Sequence, residues 1–193
     1  MNTLIIDTSI RATLCVAIRG ETVEVVDAST LAEQTSTSAA IIPLIDRALS
    51  ALGLRPAELD CIAAVVGPGS FTGLRIGVSV ANAMATLGIQ TLPVNVLEML
   101  AFSEPEGTLT AVPSRVGFSY TSRGELTVDE VAAAPLSVGV EGSGAVTVLS
   151  RAQYVQRLVA YVTAHAAEAD GEPLAPLYLK KSQAERLRET KHG

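Results

Sequence analysis

Asp7-Thr8-Ser9 closes a short apolar run, Thr3 to Ile6, near the start of the chain. A carboxylate at a strand end can hold a hydrated magnesium ion, and two hydroxyls with successive backbone N–H groups can face a phosphate. The same three residues also make an ordinary strand-ending turn, and on their own they favour that plainer reading. A second candidate is the loop Gly67-Pro68-Gly69-Ser70-Phe71-Thr72-Gly73. A Walker A loop ends in Gly-Lys-Ser/Thr, whereas this one continues Thr72-Gly73-Leu74 and supplies no lysine to reach a phosphate. A dinucleotide fingerprint needs glycines at positions one, three and six, but here they fall at one, three and seven. His165 and His192 are the two histidines, and neither has a His or Cys partner at ligand spacing, so no zinc or iron site is expected.

The helix expected after the loop, reaching about Leu87, carries the stronger signal. Gly73, Gly77, Ala81 and Ala85 recur every four residues and leave one face almost bare backbone, while Ile76, Val80, Ala83 and Leu87 form a second apolar face. With Val78 and Met84 added, little polar surface remains. An earlier helix, Ser36 to Leu52, is also broadly apolar: Ile41, Ile45, Ala48 and Leu52 make a stripe that Ile42, Leu44, Leu49 and Ala51 widen. A small domain covers one face of such helices. The reading preferred is therefore a subunit interface through Ile41, Ile45, Ala48, Gly73, Arg75, Ile76, Gly77, Val80, Ala81 and Met84, with burial of both helices inside one sandwich as the alternative. Arg75 lies in the first turn, where the macrodipole disfavours a cation unless an acidic residue or a phosphate is near; a solvated arginine is an equal reading.

Those helices need a frame. Thr13 to Ile18 and Thr22 to Val26 read as a hairpin around Gly20, Cys61 to Val66 as a strand buried on both faces, and Gln90 to Val94 as another strand, followed by a short helix over Val96 to Phe102. Ser70 or Thr72 is placed to cap the helix after the glycine loop, and Gly53 to stop the earlier one, in which Pro43 marks a start or a kink. A composition shift at Ser103-Glu104-Pro105-Glu106-Gly107 divides a lobe over 1–103 from one over 104–193. The second repeats the first more weakly, with strands near Leu109 to Val112, Gly117 to Thr121, Thr127 to Ala132 and Ser137 to Val140, then a helix from about Ala152 to Glu168. The pattern predicts a duplicated α/β architecture.

Composition excludes several classes. With 193 residues, 48% apolar and 18% charged, the chain can build a core and is not a disordered segment. A net charge of −6 and 4% aromatic residues argue against direct phosphate-backbone binding and base-stacking platforms, so service to a nucleic acid would pass through a partner. Cys15 and Cys61 sit in apolar runs, where a free thiol acts as a small hydrophobe. The N-terminus meets Asp7 without a basic segment before its apolar run, and the stretch Ile76 to Ile89 is too short to span a bilayer, so a cytoplasmic protein without membrane association is expected.

Ile5-Ile6-Asp7-Thr8-Ser9, the block from Gly67 to Gly77 and Pro176-Leu177-Tyr178-Leu179 resemble the TsaB (YeaZ) family, accessory proteins for threonylcarbamoyladenosine formation in tRNA. The glycine-loop block is the most specific, and the likeness is good from Met1 to about Phe102 and patchy beyond. It implies an actin-like, duplicated ribonuclease-H-like fold. It also implies a non-catalytic subunit that pairs with itself or with the transferase TsaD through the helices around the glycine loop, alongside the ATPase TsaE, with tRNA reached only through the complex. No cofactor is then required. The alternative is weak binding or hydrolysis of ATP or ADP with magnesium at Asp7, Thr8 and Ser9, helped by the family's Gly-x-Gly turn, here Gly142-Ser143-Gly144. A protease role is disfavoured because the sequence assembles no histidine pair or activated nucleophile. Members often carry a histidine before the first long helix, where this chain has Glu33-Gln34-Thr35-Ser36-Thr37-Ser38. Their Asp-Ala-Arg-x-Gly-Glu stretch appears as Pro113-Ser114-Arg115-Val116-Gly117-Phe118, without either carboxylate. The second lobe is also abbreviated, which argues against a closed nucleotide cleft between the lobes.

Overall fold

In the computed structural model the described residues are 1–10, 13–28 and 36–179. Glu33 to Thr35 and the basic tail Lys180 to His192 lie outside them. The opening apolar run is β1 (Asn2–Asp7), antiparallel to β2 (Leu14–Arg19), which pairs in turn with β3 (Thr22–Asp27). Gly20 turns this hairpin at φ 60°, a conformation that has no Cβ penalty in glycine. Helix α1 (Thr37–Ala51) then crosses to β4 (Cys61–Gly67), and Pro43 lies within α1 rather than at its start. α2 (Phe71–Ala85) leads to β5 (Gln90–Asn95), and α3 (Val96–Ala101) follows, capped by the Asn95 side chain on the Leu97 N–H. The sheet order is β3-β2-β1-β4-β5, and every residue of β4 is buried, as befits a strand held between two parallel neighbours.

The second sheet repeats this order. It contains β6 (Leu109–Arg115), β7 (Phe118–Thr121), β8 (Gly124–Thr127), β9 (Ser137–Gly139) and β10 (Thr147–Val148), arranged β10-β9-β6-β7-β8. Read from β8, it is again an antiparallel meander of three strands with two parallel strands added beside β6. α4 (Val128–Ala132) stands where α1 stands in the first unit, and α5 (Arg151–His165) where α3 stands. Between β9 and β10, however, the counterpart of α2 is replaced by a loop. This is the duplicated α/β architecture that the sequence pattern predicts, and the shortening is concentrated at that one connection.

One element differs from expectation. Thr127 to Ala132 is expected as a strand in the weaker repeat of the opening, yet only Thr127 remains in β8 and the rest is α4. The Thr127 hydroxyl accepts from the Glu130 N–H at 3.2 Å, and the Glu130 carboxylate accepts from the Thr127 N–H at 2.8 Å. This reciprocal capping box satisfies helix-start donors that a strand reading leaves out of account.

Alternation along β1 splits the core in two. Leu4 and Ile6 face α1 and α2, whereas Ile5 joins a second cluster with Val16, Val112, Val138, Tyr154 and Leu158, which binds the two halves together. After α5 the chain returns to the first sheet. The Asp170 N–H donates to the Thr91 carbonyl at 3.3 Å and the Leu177 N–H to the Val66 carbonyl at 2.7 Å. The Asn82 amide both donates to the Leu174 carbonyl and accepts from its N–H, each at 2.9 Å. A polar side chain at Asn82 is thus explained by the backbone strap that crosses α2 there.

Burial corrects the expected interface. Ile41, Ile45 and Ala48 of α1, and Gly73, Gly77 and Ala81 of α2, are buried within this single chain, where α1 and α2 share one face of the first sheet. The sandwich alternative describes these residues. Arg75 is exposed, and Ile76, Val80 and Met84 are half-buried, with one side against the core and the other toward solvent.

Candidate functional site

The Asp7-Thr8-Ser9 turn and the glycine loop are two sides of one contact. The Ser9 carbonyl accepts from the Ser70 N–H at 2.8 Å, and a Cβ added at Gly69 would lie 2.6 Å from that carbonyl oxygen. A Cβ at Gly73 would overlap the Thr8 carbonyl, and one at Gly77 the Thr8 hydroxyl. The four-residue spacing of glycines therefore admits this chain's own first turn to the helix, not a second helix. Ser70 caps α2, its hydroxyl accepting from the Gly73 N–H at 3.2 Å.

Asp7 is fully buried beneath this turn. Its Oδ1 accepts from the Ser9 N–H at 2.8 Å and the Ser9 hydroxyl at 2.6 Å, while its Oδ2 accepts from the Tyr154 hydroxyl of α5 at 2.8 Å. Burial, and then the charge and hydrogen bond of Asp7, push the Tyr154 phenol well above its usual range, so it remains a donor. Nearby, the Arg151 guanidinium donates to Asp27 Oδ2 through Nε at 3.1 Å and Nη2 at 2.9 Å.

A cleft of about 760 Å³ lies between the two halves despite the shortened second one, with Thr8, Ser9, Gly69, Ser70, Arg151 and Tyr154 among its walls. Of the residues proposed for nucleotide contact, Thr8 and Ser9 line it. Gly142, Ser143 and Gly144 do not, although Val140 and Glu141 just before them do. Ser143 is buried, its carbonyl accepting from the Ser119 hydroxyl at 2.8 Å and its own hydroxyl from the Ala145 N–H at 3.3 Å. Gly144 has φ 78°, and a Cβ there would lie 2.5 Å from the Val128 carbonyl. That turn holds together the loop that replaces a helix. Among the described residues no group of three His, Cys, Asp or Glu side chains could hold a metal ion.

The outer side of α2 has a different character. Phe71 and Tyr178 stack with ring centroids 4.8 Å apart, the Arg75 guanidinium lies 4.4 Å over the Phe71 ring, and its Nε donates to the Tyr178 hydroxyl at 3.0 Å. The cation that the first turn disfavours is thus held within the chain by a π-face and a phenol. Ile76, Val80, Ala83 and Leu87 continue along the helix, with Leu87, just past its end, 58% exposed. Sequence reading missed the aromatic pair because its members are distant along the chain; the signal available was Tyr178 within Pro176-Leu177-Tyr178-Leu179.

Both cysteines are buried and free. Burial, with a smaller contribution from Asp7, pushes the Cys15 thiol up to about 12, and burial with Asp60 pushes Cys61 up to about 11. A raised thiol pKa keeps the neutral form across the neutral range. We expect alkylation of the native protein at pH 8 to run at least about 100-fold slower than for an unperturbed thiol. Free-thiol rates in a native thiol-titration time course would contradict this.

Comparison with known proteins agrees with the motifs. The family model described as TsaD, tRNA N6-adenosine threonylcarbamoyltransferase, matches residues 31–119. A tRNA threonylcarbamoyladenosine biosynthesis protein TsaB from Haemophilus influenzae is 32% identical over 127 residues, covering 62% of this chain and 52% of its own length. A tRNA N6-adenosine threonylcarbamoyltransferase from Chlorobium limicola is 34% identical over 105 residues, covering 53% of this chain and 30% of its own. The chain thus spans about half the length of the first relative and under a third of the second. Two solved structures share the fold at 21% identity. YeaZ from Pseudomonas aeruginosa has a TM-score of 0.66, covering 92% of this chain and 99% of its own. A protein from Pseudomonas aeruginosa described as similar to peptidase YeaZ has a TM-score of 0.68, covering 93% and 99%. The chain resembles the TsaB (YeaZ) family in both sequence and fold.

Proposed function

We propose that this chain serves threonylcarbamoyladenosine formation in tRNA as a non-catalytic subunit, docking a TsaD-type transferase, with TsaE as a further member of the assembly, through the outer face of α2. The observation that carries this reading is an apolar helix face still open to solvent after the chain's own strap has covered its neighbour: Ile76, Val80, Ala83 and Leu87, headed by the Phe71–Arg75–Tyr178 stack. Aromatic and arginine side chains around an aliphatic strip have the composition of an interface core. A second copy of the chain is the other occupant, and the test separates the two. tRNA is reached through the partner, in keeping with the net charge of −6.

The residues of the cleft do not fit a magnesium–nucleotide. Both oxygens of Asp7 are engaged inside the protein, the glycine loop is filled by Thr8 and Ser9, and Arg151, the basic side chain on the described wall, is bonded to Asp27. The purified chain alone should transfer no threonylcarbamoyl group to tRNA, and adding it to the TsaD-type transferase and TsaE of the same source should restore modification measured with labelled threonine. Full activity without the chain would overturn the subunit reading. Calorimetry with millimolar Mg-ATP should give no saturable heat, whereas heat abolished by Asp7→Ala would restore the nucleotide reading.

A further inference from the structure

Three hydrogen-bonded links in series join the inter-lobe cleft to the start of α2. The Tyr154 hydroxyl, on the helix that follows the second sheet, holds Asp7 Oδ2; Asp7 Oδ1 holds the N–H and hydroxyl of Ser9; the Ser9 carbonyl holds the Ser70 N–H. Thr8, carried between Asp7 and Ser9, fills the space that a side chain at Gly73 or Gly77 would need. Opposite these glycines, one turn of α2 carries Phe71, whose ring packs against Tyr178, and Arg75, which lies over the Phe71 ring and donates to the Tyr178 hydroxyl. Tyr154, Asp7, Thr8 and Ser9 are buried, and the exposed Ser70 is tied to the turn by its N–H, so motion of the turn is coupled to the start of α2. Tyr154 and Asp7 are both buried, and their bond lies beside a cleft large enough to admit a ligand or to open.

We propose that Tyr154 is a latch between the two halves, and that its bond to Asp7 sets how α2 presents its docking face. Latched, the turn is pinned and the first two turns of α2 are rigid. Unlatched, Asp7 loses the donor on Oδ2, the turn relaxes, and the Phe71–Arg75 end of α2 loosens with it. Closure of the cleft and engagement of a partner are then two readings of one equilibrium. The inference rests on the docking reading of α2 given above.

The test needs no partner. Amide hydrogen exchange of the full chain is compared between wild type and Tyr154→Phe, which keeps the ring and removes only the hydroxyl. The latch predicts about tenfold faster exchange for the amides of residues 70–77, with α1 and the β7–β8 hairpin unchanged. Acceleration confined to α5, or equal in every element, overturns it. If Tyr154→Phe does not fold, Ser9→Ala, which deletes one bond to Asp7 and leaves Tyr154 in place, must speed residues 70–77 selectively; no change there overturns the proposal. Faster exchange in α2 together with a transferase that never binds would keep the latch and remove the docking reading, and unchanged exchange with a bound transferase would do the reverse.

Discussion

Gly73→Ala is expected to destabilise the isolated chain by about 3 kcal/mol, lowering its thermal midpoint by roughly 6 to 12 °C for a domain of this size. The direction runs against helix propensity, because alanine in a helix interior is favoured over glycine by about 1 kcal/mol. Packing decides the outcome: the new methyl would occupy the position of the Thr8 carbonyl, and a backbone oxygen in a buried turn has no rotamer by which to withdraw. Gly77→Ala meets the Thr8 hydroxyl instead. That hydroxyl is buried with no hydrogen-bond partner among the described residues, so its removal forfeits none of the bonds described. Thr8→Ala should therefore rescue Gly77→Ala while leaving Gly73→Ala impaired, a difference that a double-mutant cycle of denaturation midpoints reads directly. A Gly73→Ala protein as stable as wild type would show that these glycines do not seat the helix on the turn. On the preferred sequence reading, which puts Gly73 and Gly77 at a subunit interface, such variants stay folded and fail to associate; on the sandwich alternative they destabilise the chain itself.

Val80→Glu should behave in the opposite way. Val80 is half-buried and can turn its new carboxylate to water, so stability should change by no more than about 0.5 to 1 kcal/mol. If the outer face of α2 is the centre of an interface, the same charge is desolvated against apolar partner surface, and truncations or charges at such positions cost about 2 kcal/mol or more in binding, a loss of roughly 30-fold. The contrast between the two substitutions on one helix separates the face that holds the fold from the face left for a partner.

Much of the frame was legible in the sequence because its signals are local. Gly20 and Gly53 sit where positive φ is needed, Ser70 caps the helix as its position suggests, and the unbroken apolar run after Cys61 is the central buried strand. Repetition of an antiparallel meander with parallel additions was visible as a weak second copy. What escaped depends on tertiary contact. The spacing Gly73, Gly77, Ala81 reports that something comes close, and nothing in the spacing tells a partner's helix from Thr8, which lies far earlier in the chain. Tyr154 gives no sign in the sequence that it will meet Asp7, since the two are 147 positions apart. Thr127 to Ala132 differs for a local reason: the Thr127–Glu130 capping pair starts a helix in a segment whose β-branched Thr127, Val128 and Val131 suit a strand as well.

Under the proposed function, the outer face of α2 binds a transferase of the TsaD type. Native mass measurement of this chain mixed with that transferase from the same source tests it most directly. The account predicts a heteromeric species at micromolar concentration that disappears with Val80→Glu and persists with a charge placed at an exposed position on the far edge of the second sheet. Separate masses for the two wild-type proteins, or a complex indifferent to Val80→Glu, would contradict it.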